Sequence, residues 1–456
     1  MCLAYLRHEV CCGGQYRFKN EHLPQSQSTI LGAGSLRFVD RCQSLSLYAG
    51  KREKSVTGDS LRNEGLEVLL VTGGVGGDAV PFAALHAELI GRGHRPRLAC
   101  SPLLAVGLRQ LGIPAIAVGA AQERIALRWK RALLSSTCRG WLSWMVAIDK
   151  FYDPWSFSAL PQLERLVSAS DVVVTHPLAA GAYEACDARN TPCITLGLFP
   201  CLRPDQVGRD LSIGGADEYH DRVRIRLEKP WQLTPGAGLW SRWAATPELV
   251  LLEETIADGM KVSGETVGFP RWRVGEDSLP VEVLDERQSP TLVICQGTLL
   301  GRQRPWLNQA AVAAGRRLGM DIAVLGTDLE RLDVQRGPDL KVYPFKRLAE
   351  LLPRANVLIH HFGAGTLREA IVAKTPAIGI PGPFDTFWNS DAFSGPGLVN
   401  GKSILAYQRD FRHTVDELER LISLVNTAKW ATSMKTLDHD QSLTRIVDRI
   451  ESLANR

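Results

Sequence analysis

Short apolar runs alternate with helical periodicity over most of the chain, and the pattern begins abruptly. Residues 66–71 form an apolar run that ends in Thr72-Gly73-Gly74, which predicts a buried parallel strand and its turn. Residues 82–92 carry helical spacing, and Gly93 stops it. Further apolar runs at 97–100, 114–118, 171–175, 193–198 and 249–252 predict strands of the same sheet. A second series follows at 291–295, 321–325, 340–343, 356–360 and 377–380, and amphipathic helices are expected from residue 415 onward. Strands that alternate with helices imply doubly wound parallel sheets.

Two such series in tandem imply an α/β protein of two Rossmann-like domains. The strand ends of both would face an interdomain cleft. Residues 1–64 break the pattern, being rich in Ser, Gln, Gly, Arg and Cys with no sustained period. They are expected to be a disordered extension outside the fold. Arg7, His8 and Glu9 interrupt what would be the apolar core of a signal peptide. Pro270, Pro280 and Pro290 among charged residues suggest a linker. The expected organisation is an extension at 1–64, a first domain at 65–275, a linker at 276–289, and a second domain with C-terminal helices at 290–456.

Composition narrows the class. The 456 residues are 45% hydrophobic and 22% charged, which fits a soluble globular protein and excludes a collagen or a coiled coil. No run approaches the ~18 apolar residues of a membrane span. The net charge of +4 is too small to argue for a nucleic-acid partner. Four of the ten cysteines lie in the first 42 residues, and none forms a C-x-x-C pair. Free thiols in a reducing cytoplasm are expected.

Two glycine-rich turns carry candidate chemistry. The first runs from Gly73 through Gly76 and Gly77 to Asp78 and Pro81. It follows a strand and precedes a helix, so it belongs at the carboxyl edge of the sheet, where ligands bind. Its glycines suit close backbone approach or positive φ. Asp78 then points into the cleft or caps the helix. A dinucleotide frame starting at Gly74 has Ala79 in its third position. Where an acid should hold a ribose, the chain has His94-Arg95-Pro96-Arg97, which suits only a 2′-phosphate. An NADP-dependent oxidoreductase is therefore the alternative reading. The second turn is His360-His361-Phe362-Gly363-Ala364-Gly365-Thr366, before a helix containing Glu369. Its amides and the helix dipole make an anion site, to which His361 adds a donor or a positive charge.

These motifs together resemble the inverting nucleotide-sugar-dependent glycosyltransferases of the GT-B fold, over about residues 66–400. The opening V-T-G-G-x-G-G-D-x-x-P pattern is matched by residues 71–81, and R-G-H by Arg92-Gly93-His94. The donor signature H-x-G-x-x-[ST]-x-x-E is matched by His361, Gly363, Thr366 and Glu369, and continues to Asp385-Thr386-Phe387-Trp388-Asn389. Residues 293–298 resemble the strand and phosphate loop that open the donor domain.

The resemblance implies that Asp78 is the general base, with Gly76, Gly77 and His176 on the acceptor side. His361 and the amides of Gly363, Ala364, Gly365 and Thr366 would hold the donor diphosphate, with Thr298 adding a contact. Glu369 would bind the ribose, the main chain around Phe345 the base, and Asp385, Thr386 and Asn389 the sugar. The co-substrate would be a nucleotide sugar, read as a UDP-sugar, and the acceptor a small hydrophobic alcohol, with neither cofactor nor metal required. Where the family often has Asp-Gln, this chain has Asp385-Thr386, which leaves the sugar open. Phe362 stands where some relatives have glycine. Trp129, Trp141, Trp144 and Trp155 among basic residues suit helices that cover the acceptor cleft, or peripheral contact with a lipid surface. A sugar-nucleotide-binding protein without turnover is the remaining alternative, opposed by the intact Asp78, His361 and Glu369.

Overall fold

The computed structural model describes residues 65–73, 76–110, 112–120, 152–198, 239–252, 264–270, 291–297, 304–326, 332–343, 348–382, 386, 389–390, 398–407, 410–425 and 441–455. All belong to one compact unit, Asn63–Arg456. The expected extension, the linker at 276–289 and the tryptophan-rich segment up to residue 151 lie outside the described residues.

Among the described residues there are two parallel sheets. The first has seven strands in the order β3-β2-β1-β4-β5-β6-β7. They are β1 (Glu67–Thr72), β2 (Arg95–Cys100), β3 (Ala115–Ala117), β4 (Val172–Thr175), β5 (Cys193–Gly197), β6 (Glu248–Val250) and β7 (Glu265–Thr266). The second has six in the order β10-β9-β8-β11-β12-β13. They are β8 (Thr291–Cys295), β9 (Asp321–Leu325), β10 (Leu340–Tyr343), β11 (Val357–His360), β12 (Ala377–Gly379) and β13 (Leu398–Asn400). In both sheets the order reverses beside the first strand, so the central pair (β1 with β4, β8 with β11) flanks a crevice at the carboxyl edge.

Alternation of side chains explains why the central strands are apolar throughout. Val68 and Leu70 of β1 pack with helix α1 (Gly76–Gly91), while Leu69 and Val71 point to the opposite layer. That layer includes Trp155 and Leu163 of a helix spanning Asp153–Val167. Buried on both faces, such strands need no polar positions. The second sheet repeats the arrangement: Leu292 and Ile294 face one cluster, Val293 and Cys295 the other.

The C-terminal helix, Ser442–Ala454, returns to the first sheet. Ile446, Val447 and Ile450 are fully buried in the cluster built by β1 and α1. Arg92 and His94, the polar residues of the R-G-H motif, meet it through Asp448 and Glu451. Gly93 between them has φ of +85°, which lets the chain turn from helix to strand.

Candidate active site

The first half of the site stands on β1 and β4. Asp78 lies in the first turn of α1, within the helix and not ahead of it. Neither Gly73 nor Gly77 has positive φ. Space requires a glycine at Gly73, where a Cβ would fall 2.1 Å from the Trp155 ring. A Cβ at Gly77 meets nothing within 4 Å.

His176 follows β4 directly, and its N–H donates to the Val71 carbonyl at 2.8 Å. The adjacency of β1 and β4 thus brings it to Asp78 across nearly a hundred residues of sequence. Its Nδ1 accepts the Leu178 N–H at 3.1 Å, which leaves the proton of the neutral ring on Nε2. Nε2 faces Asp78 Oδ2 at 3.9 Å. The ring stacks on Tyr152 at 5.5 Å and leans on Phe82. Burial among these rings pushes its pKa down to about 3. The pair is therefore a carboxylate beside a neutral N–H, close enough for a bound hydroxyl to bridge.

The second half stands on β8 and β11. Helix α2 (Pro102–Gln110) and helices α3 (Asp153–Val167), α4 (Ala180–Arg189) and α5 (Leu239–Ala245) belong to the first sheet. In the second, α6 (Pro305–Arg317) follows β8, α7 (Leu348–Leu351) precedes β11, and α8 (Ala364–Val372) leaves the loop after it. Gly363 begins α8 in an extended conformation, and no side chain caps the helix. The amides of Ala364, Gly365 and Thr366 accordingly have no intrahelical acceptor, as at any helix start. The Thr366 hydroxyl bonds the buried Cys295 thiol, whose pKa is raised chiefly by burial.

His361 sits half-buried between two glycines. A Cβ at Gly297 would lie 2.6 Å from its Cε1, and one at Gly363 2.4 Å from its Nε2. Burial drives its pKa down to about 4, the nearby Arg304 adds to that, and a hydrogen bond with the Cys295 main chain opposes it. Of the two contributions expected of His361, a donor or a positive charge, a neutral ring supplies the donor near neutral pH. His360 is fully buried and its Nδ1 accepts the Phe362 N–H at 3.2 Å. Burial, with its histidine neighbour second, lowers its pKa to about 3.

Phe362 carries the strain of the loop. Its φ is +62°, rare for a bulky residue. Asn389 Nδ2 holds its carbonyl at 2.9 Å, and its ring fills a slot over Gly379. Asn389 thus braces the loop backbone with an amide N–H. Thr386 likewise accepts the Gly382 N–H at 2.9 Å. Glu369 is half-buried and ion-paired with Arg368. Thr298, Phe345 and Asp385 lie outside the described residues. The two halves meet at the start of α8: Ala364 packs on the first-sheet cluster, and a Cβ at Gly365 would lie 3.6 Å from Phe269.

Arg304 stands outside every motif of the sequence. Its only signal is an arginine set just before the proline that starts the helix after the first strand of the second series. The basic residues of the NADP alternative are otherwise engaged, at the amino edge of the sheet. His94 bridges Leu66 and Glu451, Arg95 pairs with Glu67, and Arg97 binds the Ala169 carbonyl. A 2′-phosphate would need them at the carboxyl edge.

No family model matches the chain. Over 109 residues, 23% of its length, it is 33% identical to the UDP-N-acetylglucosamine–N-acetylmuramyl-(pentapeptide) pyrophosphoryl-undecaprenol N-acetylglucosamine transferase of Synechocystis sp.. Over 160 residues, 34% of its length, it is 25% identical to the uncharacterized UDP-glucosyltransferase YojK of Bacillus subtilis. The chain spans 31–39% of the length of the curated relatives it matches. Solved structures agree over a larger extent. Glycosyltransferase VinC, solved in complex with dTDP, shares 18% identity and a TM-score of 0.65, over 86% of this chain and 100% of that one. CalG4, the calicheamicin glycosyltransferase, shares 14% identity and a TM-score of 0.62, over 86% and 99%. At such identities the likeness shows the fold.

Proposed function

We propose that this chain, which has the GT-B fold of the glycosyltransferases, is an inverting glycosyltransferase that moves a sugar from a nucleoside diphosphate to a hydroxyl of a small hydrophobic acceptor. The observation that carries the reading is the Asp78 carboxylate beside the neutral Nε2–H of His176, 3.9 Å away, at the carboxyl edge of the first sheet. An acceptor hydroxyl is a weak nucleophile at neutral pH. Asp78 takes its proton while the oxygen bonds to the anomeric carbon, a contribution of typically 10²–10⁴-fold. His176 donates to the carboxylate or to the acceptor oxygen and orients both. The bond from the anomeric carbon to the diphosphate breaks on the opposite face, so configuration inverts.

The leaving diphosphate settles on the amides at the start of α8, where the helix dipole favours an anion. This requires no metal and no other cofactor. A UDP-sugar is the first donor to test, since the curated relatives are named as UDP-sugar enzymes. A dTDP-sugar is the second, since VinC was solved with dTDP. Glu369 supports UDP, because a carboxylate accepts hydrogen bonds from both hydroxyls of a ribose. The acceptor sits above Asp78 beside the half-buried Tyr152. The free cysteines Cys100, Cys186, Cys193 and Cys295 suit the cytoplasm.

The test is Asp78→Asn with UDP- and dTDP-sugars and a panel of aromatic, sterol and polyketide alcohols, read as nucleotide release. Transfer should fall at least 10²-fold while calorimetry shows unchanged nucleotide binding. Full transfer by the variant would remove Asp78 as base.

A further inference from the structure

The helix that leaves the donor loop carries a buried charge. Arg368 of α8 is 4% exposed. Its Nη1 donates to Oε1 of Glu369. Its Nε and Nη2 are buried and have no hydrogen-bond partner among the described residues. These two nitrogens form one edge of the guanidinium fork, the edge that would pair with a second acceptor. Glu369 is thus the partner of a buried cation that is otherwise unmatched.

Consecutive residues of a helix do not face each other. Arg368 lies four residues after Ala364, so it shares the face of α8 that packs on the first-sheet cluster. Gly365, whose Cβ would lie 3.6 Å from Phe269, borders the same face. Leu367, Ala370 and Ile371 turn the other way, into the core of the second sheet. Glu369 starts about a quarter turn further round the helix than Arg368. The ion pair draws its carboxylate back toward the face where the two sheets meet.

The arrangement does little for folding. A buried guanidinium without its full set of acceptors costs more than an apolar side chain of similar length. Glu369, with 22% of its side chain exposed, can be satisfied by water. What the pair supplies is a carboxylate of fixed direction. A carboxylate has about four acceptor sites, so Oε2 and the remainder of Oε1 stay open to two hydroxyls.

We propose that Arg368 is a positioning residue, which sets the direction of the Glu369 carboxylate so that it receives the ribose hydroxyls of the donor nucleotide. This deepens the glycosyltransferase reading and rests on it. The measurement is calorimetry of UDP and its 2′,3′-dideoxy analogue with wild type, Arg368→Met, Arg368→Lys, Glu369→Gln and the double variant, beside urea unfolding. Arg368→Met should weaken UDP about 10-fold and the dideoxy analogue much less. Arg368→Lys should recover part of the loss. In the Glu369→Gln background, Arg368→Met should change UDP affinity little. Arg368→Met should unfold at no lower urea concentration than wild type, which separates positioning from a role in the scaffold.

A second measurement needs no variant. In a crystal structure of the wild type with UDP, Glu369 should accept from Arg368 and from the ribose together. Wild type that binds neither UDP nor dTDP would defeat the glycosyltransferase reading itself. Wild type that binds UDP, with Arg368→Met binding it within twofold, would overturn the Arg368 assignment alone. So would equal losses of UDP and the dideoxy analogue, an undiminished loss in the Glu369→Gln background, a lower unfolding midpoint for Arg368→Met, or a ribose held with Arg368 turned away from Glu369.

Discussion

Phe362 offers a test in which the order of two variants decides. Its ring is 0% exposed and sits in the slot over Gly379, and its φ is +62°. Phe362→Ala keeps the left-handed backbone and loses the ring, at a cost of about 3–5 kcal/mol. Phe362→Gly loses the same ring but releases the Cβ strain of a left-handed residue, about 1–2 kcal/mol. Glycine gives back about 0.4–1 kcal/mol through the greater freedom of its unfolded chain. The glycine variant should thus be the more stable by roughly 0.5–1 kcal/mol, the reverse of the order at ordinary positions. Urea unfolding of the three proteins at one pH measures it. An alanine variant as stable as the glycine variant would refute the left-handed strain. A loss below about 1 kcal/mol in both would refute the packed ring.

Acid should destabilise the protein early. His176 and His360 have pKa values pushed to about 3, below the unfolded value of 6.5. Their contribution is complete above pH 6.5 and is lost as pH falls toward 3. Each then costs about 1.4 kcal/mol at pH 5.5, and His361, at a pKa of about 4, costs about as much, so unfolding free energy should drop by about 4 kcal/mol from pH 7.5 to 5.5; a flat profile there would contradict it. With His361 neutral, at a pKa of about 4, UDP affinity should hold steady from pH 7 to 8.5. A tenfold decline centred near pH 7 would show a charged imidazole instead. Gly379→Ala places a methyl 2.0–2.4 Å from three ring carbons of Phe362. It should cost about 1–3 kcal/mol, and adding Phe362→Ala should remove that increment in a double-mutant cycle. Ile450→Ala should cost about 2–5 kcal/mol by unfolding, because the side chain is fully buried in the first-sheet cluster.

The sheets were legible because their strands are buried on both faces and read as unbroken apolar runs. Residues 291–295 and 321–325 match Thr291–Cys295 and Asp321–Leu325. β7 and β13, of two and three residues, leave no such run. The periodicity of α1 begins at Phe82, but the helix begins at Gly76 and passes through Pro81, where glycine and proline signals argue for a loop. The glycine loops marked both halves of the site. The approach of His176 to Asp78 was hidden, because it depends on β1 lying beside β4. Phe362 gave no sign of its left-handed backbone, since the side chain that compensates for the strain is also the one that argues against it. An amphipathic pattern at 442–454 shows that one face is covered, without saying by which sheet.

The return of the Ser442–Ala454 helix to the first sheet also has a consequence for synthesis. The ribosome releases β1 through β7 long before that helix exists. At ~5–20 residues per second, Ser442 follows Thr266 by about 10–35 s. Until then the face of β1 and α1 that Ile446, Val447 and Ile450 cover stays bare, so the half of the protein made first is completed last. A chaperone, or the second sheet folding beside it, has that interval in which to keep the bare surface from other nascent chains.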